Sequence, residues 1–252
     1  GSYTGVMGLP VFESCRLFQN SRKPLPTYAR PYKRVNMSPQ LIIFDWDGTL
    51  ADTTAPIIRT MQAAFQECGW PPPADEAVKP LIGNSLAGII ARLLPEGDAA
   101  QQAEIARAYS LSTLNPNNQN MMLFADALPC LDALKQKGYW LAVATGKGRS
   151  GLDGAIAQTG TASYWLATRC ASECPPKPAP DMVLELCDEL GVAPANALVI
   201  GDTTYDLDMA AYAGCRAVAV STGAHTIEML SQSPHMALLS SLSELPALLD
   251  NL

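Results

Sequence analysis

The sequence has no long hydrophobic segment and little positive charge. Its apolar runs fall far short of the roughly 18–20 residues of a membrane-spanning helix, so no membrane contact is expected. The formal net charge is −7, and residues 37–252 carry 11 Lys and Arg against 23 Asp and Glu. Because such an acidic chain repels nucleic-acid backbones, nucleic acid is not expected as a partner. An anionic substrate would need a local cation in its site.

Histidine is scarce, and cysteine occurs in an odd number. The seven cysteines are irregularly spaced, and no histidine lies near Cys170 and Cys174 to complete a zinc site. This pattern favours reduced thiols in a cytoplasmic protein. A Ser-His-Asp hydrolase is not expected, since the sequence has no G-x-S-x-G stretch and only two histidines, His225 and His235. His225 follows an apolar run and is either a surface or capping residue or a neighbour of the site.

Residues 1–36 differ in composition from the rest of the chain. They hold six of the 17 Lys and Arg, include several prolines and show no hydrophobic periodicity. The apolar stretch of a secretory signal is absent from them. We therefore predict a leader or extension that is not part of the core fold.

From Leu41 onward, short apolar runs alternate with amphipathic stretches. The runs end at turn residues and predict buried strands at residues 41–44, 140–144, 197–200 and 216–220. Helical periodicity predicts helices near residues 126–137, 149–158, 179–190 and 204–213. This alternation indicates an α/β fold, with a Rossmann-like parallel sheet between two layers of helices. Ligands of such sheets bind at the carboxyl ends of the strands.

Residues 55–122 break the alternation. They show helical periodicity with no convincing strand, and a polar stretch at 115–120 reads as a return linker. We predict an all-α cap domain at 55–122, inserted into a core domain made of residues 37–54 and 123–252. The insertion begins close to two aspartates and could cover them, excluding water. A packing subdomain without a gating role is the alternative.

Two aspartates follow the first predicted strand in LIIFDWDGTLADT. Because residues i and i+2 of an extended chain face the same side, Asp45 and Asp47 place two carboxylates close together. One could attack an electrophile while the other transfers a proton, and a divalent cation would offset their repulsion. A calcium loop does not fit, since Leu50 and Pro56 stand where it needs Gly and Glu. The indole of Trp46 between them has no explanation at this level.

Three further clusters follow predicted strands or precede predicted helices. The stretch LAVATGKGRSG places Thr145, Gly146 and Lys147 before a helix start, where free N–H groups bind anions. It also matches G-x-G-x-x-G, so a nucleotide-binding module that uses residues 146–151 is an alternative.

The other two clusters contribute a lysine and two more acids. Lys177 lies between prolines that fix the backbone around its ammonium group. Asp202 and Asp206 follow a strand in LVIGDTTYDLDMA. Asp202 could merely cap the next helix, but acids that converge at strand ends also suit a Mg²⁺ site.

Taken in order, the four clusters resemble the motifs of the haloacid dehalogenase superfamily: DxDGT, hydrophobic residues ending in Thr-Gly, a lone Lys, and GDTxxD. The resemblance covers about residues 40–250. The inserted helices resemble the small cap of phosphoglycolate phosphatase-like members. The resemblance implies a Mg²⁺-dependent phosphatase that acts on a small phosphorylated metabolite through an aspartyl-phosphate intermediate.

The resemblance also implies a role for each matching residue. Asp45 would be the nucleophile, and Asp47 would act as acid and then base. Lys177 would neutralise the transferring group. Asp45, the Asp47 carbonyl and Asp202 would hold Mg²⁺, with Asp206 in support. The phosphate group would be bound by Thr49, Thr145, Gly146 and Lys147.

Asp47 favours a phosphatase over a dehalogenase, because dehalogenases of this family lack an acid at that position. A phosphomutase keeps both acids and stays an alternative. Lys147 and Arg149 lie beside the predicted phosphate site, where they could meet a second anionic group such as the carboxylate of phosphoglycolate. The sequence selects neither a substrate nor an oligomeric state.

Overall fold

A six-stranded parallel sheet is the centre of the computed structural model, which describes residues 39–114 and 122–252. The strands, in the spatial order β3-β2-β1-β4-β5-β6, are Leu41–Phe44 (β1), Trp140–Thr145 (β2), Ala167–Cys170 (β3), Ala197–Gly201 (β4), Arg216–Val220 (β5) and Ala237–Leu239 (β6). Strand β1 is central, with Phe44 beside Val143 on one side and Ile200 on the other. From β1 the chain continues through β2 and β3 on one side, and then through β4, β5 and β6 on the other side. This change of side places a ligand crevice at the carboxyl end of β1.

Helices connect the strands and cover both faces of the sheet. In chain order they are Thr54–Glu67 (α1), Asp75–Val78 (α2), Leu86–Leu93 (α3), Ala99–Leu114 (α4), Ala127–Gln136 (α5), Arg149–Thr159 (α6), Asp181–Leu190 (α7), Thr204–Ala213 (α8), Ile227–Leu230 (α9) and Leu245–Asp250 (α10). No helix among the described residues has the length and apolar character needed to cross a membrane.

Strand β1 is buried on both faces because its residues alternate between two apolar clusters. Ile42 and Phe44 pack into one cluster, while Leu41 and Ile43 pack into the other. All four residues are fully buried, as expected for a central strand with helices on both sides. The predicted α/β fold with a three-layer core is therefore confirmed.

The inserted segment between β1 and β2 has an apolar cluster of its own. Helices α1 to α4 contribute most of its members, which include Ile58, Phe65, Ile90 and Ile105, and Ala224 of the core also belongs to it. This agrees with the predicted all-α cap, and helix α2 within it was missed. The exact domain limits stay predictions, and the predicted leader at 1–36 and linker at 115–120 lie outside the described residues.

Trp46 is explained by the packing under the sheet. Its side chain is fully buried and meets the ring of Trp165 edge-on, with ring centroids 6.2 Å apart. Phe44 contacts the same ring at 6.2 Å. Because neighbouring residues of an extended chain face opposite sides, an apolar residue between the two aspartates anchors the loop in the core.

Candidate active site

A cavity of about 360 Å³ lies at the carboxyl end of β1, between the sheet and the inserted helices. Asp45 and Asp47 both line it, as the i, i+2 spacing predicts. Both residues are buried, with 1% and 8% of their surface exposed. Burial of two carboxylates this close requires compensating charge nearby.

The first compensating charge is Lys177, which lies at the centre of a buried ion network. Its Nζ is 2.6 Å from Asp45 Oδ1 and 2.6 Å from Asp206 Oδ1. Burial disfavours the ammonium form, but the two carboxylates outweigh it and raise the pKa of Lys177 above its ordinary value. Lys177 therefore remains charged at any pH at which the protein works.

Asp206 and Asp202 are each held in place by neighbours at the start of α8 and in nearby loops. Asp206 Oδ2 accepts hydrogen bonds from the N–H of Thr203 (3.1 Å) and from its hydroxyl (2.6 Å). Asp202 accepts one from the Thr49 hydroxyl at 2.9 Å and one from the Ala224 N–H at 2.8 Å. The residue that caps α8 is Thr203, so the alternative that Asp202 is the N-cap is wrong.

Gly48 makes room for Asp202. Its φ of +83° lies in the left-handed region, and a Cβ at this position would collide with the Asp202 carboxylate. The predicted phosphate ligand Thr49 uses its hydroxyl proton on Asp202 and is not among the residues that line the cavity. In this structure Thr49 therefore positions the Asp202 carboxylate.

Three carboxylates form a group that suits a divalent cation. Asp45, Asp202 and Asp206 are buried and each offers an oxygen within 4.8 Å of the others. Burial raises the pKa of Asp45 to about 7, against the charge of Lys177, and the carboxylates of Asp206 and Asp47 reinforce the shift. Burial, with Asp45 and Asp206, also raises the pKa of Asp202 well above its usual range. Carboxylates whose ionised form is disfavoured in this way gain most from a bound cation.

The donor set fits Mg²⁺ or a similar hard cation. Asp45 Oδ2 is buried and has no hydrogen-bond partner, which leaves one oxygen available to a cation or to an electrophile. The two lysines of the site leave two of the four aspartate charges unbalanced, which matches a divalent ion. The side chain of Asp47 lies outside the three-carboxylate group, so only its backbone carbonyl is a candidate ligand.

Asp47 has a different environment from Asp45. Its Oδ1 accepts a hydrogen bond from Thr53 Oγ1 at 2.7 Å and lies 2.8 Å from Lys147 Nζ. Both contacts are to the same oxygen and hold the carboxyl group toward the cavity. Thr53 was missed by sequence reasoning, although its position six residues after Asp47 in a turn is a usable signal.

A loop of the cap packs against part of the predicted anion site after β2. Thr145 is fully buried, and its Oγ1 accepts a hydrogen bond from the Lys147 N–H at 3.2 Å. A Cβ on Gly146 would lie 2.6 Å from the Asn84 carbonyl oxygen and 2.7 Å from that of Gly83. Gly146 is therefore required for the close approach of the cap loop, and it also lines the cavity. Phosphate binding by Thr145, Gly146 and Lys147 stays a prediction.

Arg149 does not reach the cavity. Its guanidinium is bound to Glu173 (2.6 Å) and Asp153 (3.1 Å) and also donates to Thr168 (3.0 Å). Arg149 is not among the residues that line the cavity, and three acceptors hold its guanidinium, so the expectation that Arg149 could meet a second anionic group of the substrate is wrong.

The cap is held to the core by contacts that the sequence did not indicate. His225 Nδ1 accepts the N–H of Thr204 at 3.0 Å, so its proton is on Nε2, which donates to the Pro80 carbonyl at 3.0 Å. Burial lowers the pKa of His225, which keeps this neutral form. Tyr205 adds a link, since Arg92 Nη1 donates to its hydroxyl at 3.0 Å. His225 is therefore a buried bridge between cap and core rather than a surface residue.

Comparison with known proteins gives concordant matches. The family model described as "Haloacid dehalogenase-like hydrolase" matches residues 42–220. "Probable phosphatase IndB" of Dickeya dadantii is 31% identical over 209 residues, which cover 81% of this chain and 90% of that protein. "Phosphoglycolate phosphatase" of Neisseria meningitidis is 27% identical over 199 residues, covering 77% and 85%. A solved structure from Bacteroides fragilis, provisionally named a haloacid dehalogenase-like hydrolase, has a TM-score of 0.77 at 27% identity and covers 82% of this chain and 99% of its own. The family match includes every aspartate and lysine of the cavity.

Proposed function

The chain belongs to the haloacid dehalogenase-like hydrolases, and from this premise we propose that it is a Mg²⁺-dependent phosphatase of a small phosphorylated metabolite, working through an aspartyl-phosphate intermediate. That it is a phosphatase follows from the family and from the names of its relatives. The observation that carries the mechanism is Asp45 Oδ2, a buried carboxylate oxygen without a hydrogen-bond partner, on a residue that lines the same cavity as Asp47. The relatives' names supply phosphoglycolate as one candidate substrate.

The first half of the reaction transfers the phosphoryl group to the protein. A carboxylate oxygen of Asp45 attacks phosphorus, and the bond between phosphorus and the leaving oxygen breaks. Asp47, in its protonated form, gives its proton to the leaving oxygen. Lys177 holds the second oxygen of Asp45 and fixes the direction of attack.

The second half returns the protein to its starting state. A water molecule attacks phosphorus and gives a proton to Asp47, the Asp45–phosphate bond breaks, and inorganic phosphate leaves. A cation held by Asp45, Asp202 and the Asp47 carbonyl would supply charge neutralisation for the phosphoryl oxygens. The cap approaches the core closely at Gly146 and is hydrogen-bonded to it at Pro80.

The proposal predicts hydrolysis of both an aryl and an alkyl phosphate in the presence of Mg²⁺, and none with a chelator. In Asp47→Asn, transfer from an alkyl phosphate should slow by about 10²- to 10⁴-fold, because its alkoxide needs a proton. Transfer from p-nitrophenyl phosphate should slow much less, since that leaving group is stable as an anion. The measurement is single-turnover formation of phosphoprotein, with release of inorganic phosphate followed in parallel.

Equal slowing of the two substrates would contradict the role of Asp47 as acid. An absence of turnover for both substrates in the wild type would contradict the proposed function itself. An isomeric sugar phosphate formed without inorganic phosphate would identify a phosphomutase.

A second prediction concerns Mg²⁺ and pH. The raised pKa values of Asp45 and Asp202 mean that the cation-free folded protein binds more protons than the unfolded chain between about pH 4 and 7. Its free energy of unfolding therefore falls as pH rises through this window. Mg²⁺ competes with those protons, so the increase in Tm that it causes should be larger near pH 8 than near pH 5.

The measurement is thermal unfolding with and without Mg²⁺ at both pH values, with the ionic strength matched by a monovalent salt. Asp202→Asn is expected to reduce the Mg²⁺-induced shift at the higher pH. A shift of the same size at both pH values, or the same shift in this variant, would contradict a cation held by these carboxylates.

A further inference from the structure

Among the described residues, no charged side chain lines the outer part of the active-site cavity. Among the described residues that line it, the charged ones are Asp45, Asp47 and Lys147, all near the strand ends. The cation of Lys147 is already within 2.8 Å of Asp47. The other described residues of the lining are neutral.

The neutral part offers hydroxyl and amide groups instead. Side chains of this kind come from the cap helices α1 and α4 and from α6, namely Thr60, Tyr109, Ser110, Thr113, Ser150 and Gln158. Each of them can accept a hydrogen bond, and all can donate one except Ser110 and Thr113, whose hydroxyls already donate to backbone carbonyls. These side chains are complementary to an uncharged part of a ligand that carries hydrogen-bond donors and acceptors.

Two glycines of α6 keep part of this cavity open. Gly151 lies in the first turn of α6 and Gly154 in the helix interior, where glycine is the least favourable residue after proline. A Cβ on Gly151 would meet no atom within 4 Å, and one on Gly154 would meet only Gln158 Nε2 at 4.0 Å. The fold therefore does not require glycine here, in contrast to Gly146, and both glycines line the cavity. The unpartnered Asp45 Oδ2 belongs to the same cavity and marks where the phosphate end lies.

We propose that the leaving group of the substrate is an uncharged, hydroxyl-bearing organic group that lies along Gly151 and Gly154. This inference rests on the proposed phosphatase function and specifies the substrate class. Among the described residues that line the cavity, the only cation is Lys147, which is already paired with Asp47, so a carboxylate in the same place would lose its hydration without gaining a free cation. The start of α3 offers a partial charge only, and its Gly88 N–H is already bound to Ser85 Oγ.

The first test uses pairs of phosphate esters in which one member has a hydroxymethyl group where the other has a carboxylate. One pair is 2-hydroxyethyl phosphate and 2-phosphoglycolate, and the other is glycerol 3-phosphate and 3-phosphoglycerate. The alcohol of each pair should have a kcat/KM at least about tenfold higher. Thr60→Lys, which places a cation in the neutral lining, should narrow this ratio, whereas Gln66→Lys on the same helix but outside the cavity should not.

The second test concerns the two glycines. Gly154→Leu should raise Tm by about 2–4 °C, because it replaces a helix-interior glycine where a Cβ would meet no atom closer than 4.0 Å. It should also lower kcat/KM for ribose 5-phosphate by at least about tenfold, while 2-hydroxyethyl phosphate changes little. Ala157→Leu, at an exposed position of the same helix, is the matched control and should alter neither substrate.

Turnover of p-nitrophenyl phosphate with Mg²⁺ separates failure of this inference from failure of the proposed function. If that turnover is present but the carboxylates are equal or better substrates, the inference is wrong and the phosphatase stands. Loss of both ribose 5-phosphate and 2-hydroxyethyl phosphate turnover in Gly154→Leu, with unchanged Tm, would also overturn it. A wild type inactive on p-nitrophenyl phosphate and on every ester of the two pairs overturns the proposed function and this inference together.

Discussion

The Asp45→Asn variant is expected to lose at least about 10⁴-fold of the phosphatase activity, a loss typical of removing a catalytic nucleophile. An amide is almost the same size as a carboxylate but cannot attack phosphorus to form the acyl phosphate. Its oxygen can still accept the hydrogen bond from Lys177, so the geometry around the cavity is kept.

The same variant is expected to unfold at an equal or higher temperature than the wild type when no Mg²⁺ is present. In the wild type, burial and the neighbouring Asp206 and Asp47 raise the pKa of Asp45 to about 7, so its charge is unfavourable in the folded state at neutral pH. Removal of that charge eliminates the associated fall in stability between about pH 4 and 7. A large activity loss without a stability loss identifies a chemical rather than a structural role.

Asp52→Asn is the matched control for this substitution. Asp52 is an exposed aspartate in the same loop and does not line the cavity. The measurement combines turnover of p-nitrophenyl phosphate with thermal unfolding near pH 5 and pH 8. Asp45→Asn with more than about a hundredth of wild-type activity would exclude Asp45 as the nucleophile.

The sequence allowed prediction of the central strands because their signal is local. Strands β1, β2, β4 and β5 are apolar runs that end at turn residues, and the structure places them within one residue of their predicted ends. The edge strands were missed for physical reasons. Strand β3 has four residues and includes Arg169, whose ion pairs with Glu185 and Glu189 cover its outer side, and β6 has three residues. Edge strands are half-exposed and therefore carry a weak apolar pattern.

Site residues that lie together in one short stretch of sequence were predictable, whereas contacts that depend on tertiary packing were not. Asp45 and Asp47 share a cavity because of their spacing, and parallel strand ends bring Asp202 beside them. The position of a long side chain depends on hydrogen-bond acceptors that are distant in sequence. Arg149 was wrongly expected to meet the substrate because its partner Glu173 could not be foreseen. His225 illustrates the same limit, since its partner Pro80 is 145 residues away.

Removal of the Lys177 ammonium should have the second large effect. In Lys177→Met, Asp45 and Asp206 remain buried without the cation between them, and breaking a buried ion network in this way costs about 3–5 kcal/mol of unfolding free energy. Activity should fall by at least about 10²- to 10³-fold, as for the loss of one charge-stabilising group. Methionine is chosen because it fills similar space without charge.

The pH dependence of this loss separates electrostatics from packing. Near pH 5, Asp45 can take up a proton because its pKa is already about 7 in the wild type and rises further without Lys177. The destabilisation of Lys177→Met should therefore be clearly smaller near pH 5 than near pH 8, with the cation omitted at both. The control is Lys137→Met, which removes an exposed lysine paired with Asp250 and should cost less than about 1 kcal/mol at either pH. If Lys177→Met lost the same stability at both pH values, the loss would come from packing, and the carboxylates around Lys177 would not be the groups that it neutralises.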